Sequence, residues 1–600
     1  MVRRELQRGS KDIRHKAGRP VGPDLHPALP NSFPFTSEAP PRHSYLVLFG
    51  ITVLILLPFS GKAYHIDDTL FLFTAKQIAN HPLDPYGFEV VWNKTAQRMS
   101  DVTENPPLAS YYAALFGRVA GWSERVMHLV FLVPALALVL GTYRLGQRCT
   151  SSPILAALAA LLTPGVLVSA TSVMCDTMMV AFWIWAVVLW VEGLDPCQPY
   201  YLLASSLLIA ATALTKYYGL ALIPLLVTYS LVRLRRFGSW MLFLLIPVLA
   251  LLAYEVWTGH LYGEGLIEAA AAFAAQQREF QQGSTLSHAL ISLSFAGGCA
   301  ASALTLLPIL WSPKQILAGA VVSVFAALAL TFNWVDFGAR VNGPQAAQSL
   351  MDHALLVSTE LALCILSGFS ILVMAIADVW ARRSDATSWL LALWVLGTFF
   401  FAGFVNWTVN GRSVLPMIPV VGLLICRRLE RIPGWLSSRP TALVAVGGLA
   451  AAGVLALVVT GSDATWANSA REAANRVYGK TRLEHGTVHF VGHWGFQYYM
   501  QALGFIPGDE QNYRLARGDL LIVPLNNTEL AEPAPEVDLV LLEQLEVAHG
   551  NFVTTMSADM GAGFYSSYWG PLPFAFGRVP PERYNILRVL SQEGGSSPNH

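Results

Sequence analysis

Residues 63–74 read AYHIDDTLFLFT, from Ala63 to Thr74, and follow directly on an apolar run at 43–60. Two adjacent carboxylates, Asp67 and Asp68, thus stand among aromatic residues at the end of a membrane-length segment. Ionisable groups that close to a bilayer are costly and mark function more often than decoration. Their meaning depends on which side of the membrane they face and on what else faces it.

The 600-residue chain is 54% hydrophobic and only 13% charged. Soluble domains carry roughly 25% charged residues. Apolar stretches of about 17–25 residues, the length that crosses a bilayer core, recur through the first three quarters. The expected fold is a polytopic α-helical membrane protein, with the lipid bilayer as its first partner. Formal net charge is zero, so no basic surface points to nucleic acid. Six cysteines (Cys149, Cys175, Cys197, Cys299, Cys364, Cys426) are scattered without a CxxC pair and read as small buried hydrophobes rather than a zinc site. Residues 1–42 are polar and rich in Arg, Lys and Pro, and predict a disordered basic cytosolic tail instead of a cleavable signal peptide.

Spans are expected at roughly 43–60, 125–143, 153–171, 174–192, 200–215, 217–232, 239–257, 288–310, 315–334, 355–379, 388–405, 413–426 and 441–460, about thirteen in all. The excess of Lys and Arg on cytosolic loops tests that count. With the basic tail inside, Arg144 and Arg148, then Arg233, Arg235 and Arg236, Lys314, Arg382 and Arg383, and finally Arg427, Arg428 and Arg431 all fall on the same side. A miscounted span would break this alternation. The opposite, outer face then receives a long first loop at 61–124, the turns near 172–175 and Lys216, the loops 258–287, 335–354 and 406–412, and everything after 460.

On that outer face the charged positions converge. Asp67 and Asp68 open the first loop, and Glu104 lies further along it in TENPPLASYY (Thr103–Tyr112). Asp176 in SVMCDTMM lies at the outer end of the fourth span, Lys216 in ALTKYYGL joins the fifth to the sixth, and Arg412 in NGRSVLPMIP starts the twelfth. Carboxylates and cations at one depth suit group transfer from a lipid-linked phosphate. A carboxylate serves as general base on an acceptor hydroxyl or amine, and cations hold the leaving phosphate. Simpler roles stay open for each residue. Asp67 or Asp68 serves equally as a cap for a helix beginning at Thr69, and Asp176 as another cap. Glu104 reads also as a loop acid before a helix that starts at its prolines, while Lys216 and Arg412 suit snorkelling. Adjacent helical residues point about 100° apart, so one of Asp67 and Asp68 faces any given site. His65 reads as a structural loop residue. A transporter or flippase of polyprenyl-linked lipid is the alternative. It would place polar groups near the bilayer midplane in two repeated halves, and neither feature is evident in the sequence.

The segments that carry these residues resemble the integral-membrane glycosyltransferases of the GT-C fold class. The nearest resemblance is to the branch of protein O-mannosyltransferases and the lipid A aminoarabinose transferase. HIDDTLFLFTAKQI is similar to the branch's Asp-Glu motif, with Asp68 in place of the Glu. TENPPLASYYAAL resembles its Glu-Lys-Pro-Pro element, with Asn105 where Lys is frequent. WSERVMHLVFLVPALALV, TPGVLVSATSVMCDTMMVAFW, ALTKYYGLALIP and NWTVNGRSVLPMIPVVGLL match further stretches in the same order. The likeness covers 43–235 well and 388–430 loosely. It implies inverting transfer of one sugar from a polyprenyl-phosphate carrier, with the first-loop Asp, here Asp67, as base. It implies Asp68 beside it in the catalytic pair, and Glu104, Asp176, Lys216 and Arg412 around the substrate. Some members hold a divalent metal near the Glu of the Pro-Pro element and others need none, so the resemblance leaves Glu104 open as a metal ligand without predicting one. A lipid, a glycan or a protein each fits as acceptor. A bacterial plasma membrane is the expected setting, with the N-terminus cytosolic.

The domain plan is therefore a tail at 1–42, a transmembrane transferase domain at 43–460 and an extracytoplasmic α/β domain at 461–600. In the last, TVHFVGHWGFQYYMQALGF (Thr487–Phe505) predicts strand, turn and amphipathic helix, and GDLLIVPL (Gly518–Leu525) a buried strand. VDLVLLEQLEV (Val537–Val547) fits a third strand or a short helix. GHWG lacks the spacing of a nucleotide fingerprint. Its His493 and Trp494 read as packed residues before they read as a sugar platform.

Overall fold

The computed structural model describes residues 42–592, apart from 196–197, 282, 337, 339–342, 436–437, 483, 485, 513, 529, 534–536 and 551. The expected tail before Arg42 and Cys197 lie outside the described residues. The other five cysteines are free and buried.

The chain is an integral membrane protein built mainly of helices. Among the described residues, eight helices are long and apolar enough to cross a bilayer, and a ninth span arises if the bent pair Pro153–Leu161 and Pro164–Ala170 is one segment. That pair turns by 67°. The break has a local cause: Thr163 caps the new helix at Val166 N–H and Pro164 occupies its first position, where a missing N–H costs nothing. The four other expected spans are helical but short or interrupted. Arg42–Leu56 has 15 residues, Pro199–Thr215 has 17 and Ile418–Leu429 has 12. Thr285–Cys299 gives way to two single-turn helices before Leu310. Thr285–Cys299 also packs backbone to backbone on Ala354–Ala381. A Cβ on Gly297 would stand 1.9 Å from the Cys364 carbonyl oxygen, and one on Gly368 2.2 Å from that of Leu293. Small residues let membrane helices approach this closely.

Several of the basic residues gathered by the charge rule lie at one end of the bundle. Arg427 pairs with Asp378 and Asp385, each at 2.9 Å, and donates to the Cys149 carbonyl. Arg144 and Arg148 reach Glu192, and Arg233 reaches Asp195. Because neighbouring helices run antiparallel, the starts of helices whose ends lie here mark the opposite end of the bundle. Asp176 is on such a start.

At that opposite end the first loop is structured. Helix Asp68–Asn80 is followed by a hairpin, Glu89–Trp92 with Thr95–Arg98, and by helix Leu108–Ala120. The hairpin turns through Asn93 and Lys94, both in the left-handed region, as a two-residue turn requires. The composition change at 460 is not a structural boundary: one helix of 43 residues runs from Arg439 to Thr481. Its second half, DATWANSAREAANRV, turns polar but keeps the alanines that favour a helix. The strand-containing part therefore begins at Val488. Its five-stranded sheet has the order Ile506–Pro507, Val488–Phe490, Leu520–Pro524, Glu582–Gln592, Val537–Val547. The first three strands are parallel, and Glu582–Gln592 runs antiparallel to both neighbours. Val537–Val547 is thus a strand, and Trp494–Ala502 is the expected helix. This part docks on the first loop. Tyr499 accepts from Tyr64 N–H at 2.8 Å, and Gln497 donates to the Val91 carbonyl at 3.0 Å.

Candidate functional site

The two adjacent aspartates have opposite surroundings. Ile66, buried and β-branched, adopts φ +48°, a conformation that such residues rarely hold without compensation. The two carboxylates that follow sit on helical backbone and so point about 100° apart. Asp68 is fully buried and accepts backbone N–H groups from His65 at 3.0 Å and Val173 at 2.7 Å, fastening the first loop to the turn before Cys175. Burial pushes its carboxyl up to about 7. Asp67 stands at the position before the first helical residue, yet its side chain makes no capping bond. It is 28% exposed and pairs with Arg412 at 2.7 Å.

From Asp67 a line of alternating charges extends. Arg412 lies 4.0 Å from Asp176, whose other oxygen accepts from Lys216 at 2.6 Å. Four elements contribute: the start of Asp68–Asn80, the short helix Gly411–Val414, the first turn of Cys175–Leu194 and the residue that ends Pro199–Thr215. Arg412 is fixed from several sides. Asn410 and Ser413 cap its helix reciprocally, Met174 sulfur lies 3.1 Å from Nη1, and the Tyr565 ring centre lies 5.7 Å from its guanidinium carbon. Asp176 is 1% exposed, whereas Lys216 is 24% exposed. A buried carboxylate between two cations is compensated, so the group can sit at low dielectric. The structure thus brings Asp67, Arg412, Asp176 and Lys216 together and turns Asp68 away.

Glu104 stands beside this line. Its Oε2 accepts from the Trp407 indole N–H at 3.2 Å. Burial, and then the charge of Asp67, push its carboxyl up to about 7, against the pull of Lys216 and Arg412. Glu104 is therefore poised between a donor and an acceptor of hydrogen bonds near neutral pH. Among the described residues no group of three or more His, Cys, Asp or Glu gathers as metal ligands. Asp67 already faces Arg412.

Several contributing residues were not legible as such. Lys62 and Asp463, both fully buried, pair at 2.6 Å. Asp463 also accepts from Thr555 at 2.8 Å and from the Tyr565 hydroxyl at 3.0 Å. His65 Nε2 is 3.8 Å from Asp463, and burial pulls its imidazole down to about 3, so it is neutral. The available signal was an Asp at the point where a long helix turns from apolar to polar, and a Lys directly after the first span. Trp407 and Tyr565 carried no signal beyond aromaticity. His493 and Trp494 are packed among rings, with Trp92 4.6 Å from the former and Trp569 5.8 Å from the latter.

The chain shares likenesses with known proteins. ArnT from Cupriavidus metallidurans, whose crystal structure is bound to undecaprenyl phosphate, is 15% identical, with a TM-score of 0.47 over 93% of this chain and 100% of that one. The Archaeoglobus fulgidus oligosaccharyltransferase tethered to an acceptor peptide is 13% identical, with a TM-score of 0.44 over 78% of this chain and 64% of that one. The arabinofuranosyltransferase AftD from Mycobacteria is 15% identical, with a TM-score of 0.43 over 93% of this chain and 40% of that one. No curated protein matches the chain in sequence. The family described as dolichyl-phosphate-mannose-protein mannosyltransferase matches residues 104–258. That stretch holds Glu104, Asp176 and Lys216, and over it the resemblance read from the motifs is borne out: the chain carries there the sequence pattern of the mannosyltransferase family.

Proposed function

We propose that the protein transfers a single sugar from a polyprenyl-phosphate carrier to an acceptor at the extracytoplasmic face of a plasma membrane, with inversion. The observation that carries this reading is the line Asp67, Arg412, Asp176, Lys216, assembled from four distant segments at one end of a membrane bundle. In this reading the carrier phosphate is drawn to Lys216 and Arg412. Arg412 exchanges part of its contact with Asp67 for the phosphate, which frees Asp67 Oδ2. Asp67 then takes the proton of an acceptor hydroxyl or amine. The acceptor oxygen or nitrogen bonds to the anomeric carbon from the face opposite the phosphate. The bond from that carbon to the phosphate oxygen breaks, and the polyprenyl phosphate leaves with the electron pair. The two cations stabilise the developing charge. Asp176 orients both cations, and Asp68 holds the loop that presents Asp67. The acceptor is a protein, a lipid or a growing glycan.

The test is donor turnover. Purified protein receives radiolabelled polyprenyl-phosphate sugars with membrane extract as acceptor source. Wild type transfers label, and Asp67→Asn loses at least about 100-fold in rate while remaining folded. Undiminished transfer by Asp67→Asn would remove Asp67 as base. Movement of lipid between leaflets without transfer would replace the transferase reading by a flippase.

A further inference from the structure

Beside Glu104 three aromatic rings meet. The ring centres of Trp407 and Tyr568 are 5.8 Å apart, and those of Trp407 and Phe273 are 6.1 Å apart with planes at 89°. All three side chains are partly exposed. They come from separate places: Phe273 from helix Leu266–Gln281, Trp407 from the stretch before Gly411, and Tyr568 from the C-terminal part.

Their positions are imposed by a dense set of hydrogen bonds. Ser567 N–H donates to the Val409 carbonyl at 2.8 Å, and Val409 N–H donates to Ser567 Oγ at 3.2 Å. Thr408 Oγ1 lies 3.1 Å from the hydroxyls of both Ser566 and Ser567. Gly411 N–H donates to the Phe564 carbonyl at 2.7 Å, and a Cβ on Gly411 would stand 2.5 Å from the Phe564 ring. The C-terminal part thus fixes the same short stretch that carries both Trp407 and Arg412. Trp407 in turn holds Glu104 through its indole N–H.

We propose that Trp407, Tyr568 and Phe273, with Glu104 at their edge, form the subsite that receives the sugar ring of the donor and selects which sugar is accepted. This rests on the transferase reading above and deepens it. A sugar ring has a face of C–H groups and a rim of hydroxyls. Aromatic rings cover such a face and exclude water from it. A carboxyl next to them takes a rim hydroxyl, and a buried polar group rejects an analogue that fails to pair with it. Trp407 holds Glu104 and lies five residues before Arg412 on one short stretch, so a phosphate on the cations has this aromatic side within reach of its sugar. The C-terminal part then contributes directly to donor selection, because it supplies Tyr568 and locks Trp407 in place.

The experiment measures binding, independently of turnover. Full-length protein in lipid nanodiscs is titrated with polyprenyl phosphates that carry one hexose or pentose, and with bare polyprenyl phosphate of the same length. Wild type binds at least one loaded carrier. Trp407→Ala and Tyr568→Ala weaken that carrier about tenfold, the factor that one ring contact supplies. Both bind bare polyprenyl phosphate within about twofold of wild type, which shows that the phosphate site and the fold persist. Trp407→Phe, which keeps a ring, retains most of the preference for the loaded carrier. Equal losses for loaded and bare carriers, or no loss in either alanine variant, would overturn the subsite. If wild type binds no carrier of either kind, the transferase reading itself fails.

Discussion

Lys62 and Asp463 are 401 residues apart in the chain and form an ion pair with neither side chain exposed. Removing one partner of a buried pair strands the other charge, at a cost of about 3–5 kcal/mol. The two single variants should differ. Lys62→Met leaves Asp463 with hydrogen bonds from Thr555 and Tyr565, so its cost falls near about 3 kcal/mol. Asp463→Asn leaves the Lys62 ammonium without a carboxylate, because Asp463 is its hydrogen-bond acceptor among the described residues. Its cost falls nearer about 5 kcal/mol. The double variant Lys62→Met/Asp463→Asn has no stranded charge and recovers at least about 2 kcal/mol of the summed losses. The assay is denaturant unfolding of the detergent-solubilised protein, followed by tryptophan fluorescence. Additive effects within about 0.5 kcal/mol would refute the claim that the pair acts as one unit. The pair also bears on the site, since Lys62 lies five residues before Asp67 and Asp463 binds the Tyr565 that faces Arg412. Both single variants should therefore lose transfer activity together with stability.

Two other outcomes follow from the carboxylates that burial raises. Asp68→Asn offers a single acceptor oxygen to two buried N–H groups, those of His65 and Val173. It should destabilise the protein by about 1–3 kcal/mol at pH 8.5; an unchanged unfolding midpoint would show that Asp68 does not fasten the loop. Glu104 goes from an ordinary 4.5 to about 7 in the folded protein. The native state then keeps a proton that the unfolded chain has released, so Glu104 costs stability progressively from pH 4.5 to pH 7, and the cost is constant above. The ceiling is about 3 kcal/mol. Glu104→Gln still offers an oxygen to Trp407 and cannot ionise. Its stability relative to wild type should rise between pH 5 and pH 8, and a flat difference would place Glu104 in a solvated setting. Asp68 titrates in the same window but cancels, since both proteins contain it.

Hydropathy and its length determined the larger part of this protein from the sequence alone. A segment of apolar residues must be helical in a bilayer, whatever its neighbours do, because its backbone has no other partner. Helical segments consequently fall at each expected span, and the charge rule put on one side Arg382, Arg427 and Arg431, which share Asp378. The positions of Asp67, Glu104, Asp176, Lys216 and Arg412 at helix ends and loops could be read for the same local reason. Their order of pairing could not. Asp67 and Arg412 are 345 residues apart, and only the closing of the bundle decides that Arg412 meets Asp67 and Asp176 while Lys216 holds the latter. Composition and spacing did not separate Asp67 from Asp68, which only the likeness to a family ranked: two identical side chains acquire opposite surroundings because one accepts buried backbone N–H groups and the other meets Arg412. The long helix through residue 460 shows the same limit. Polar composition suggested a boundary, but the helix continues because its tertiary contacts and its alanines favour it. Trp407 and Lys62 take their roles from partners far along the chain, Glu104 and Asp463. Local sequence sets which groups are exposed to the bilayer and which sit at its edge. Contacts between distant segments set their charge partners, and with them the chemistry available at the site.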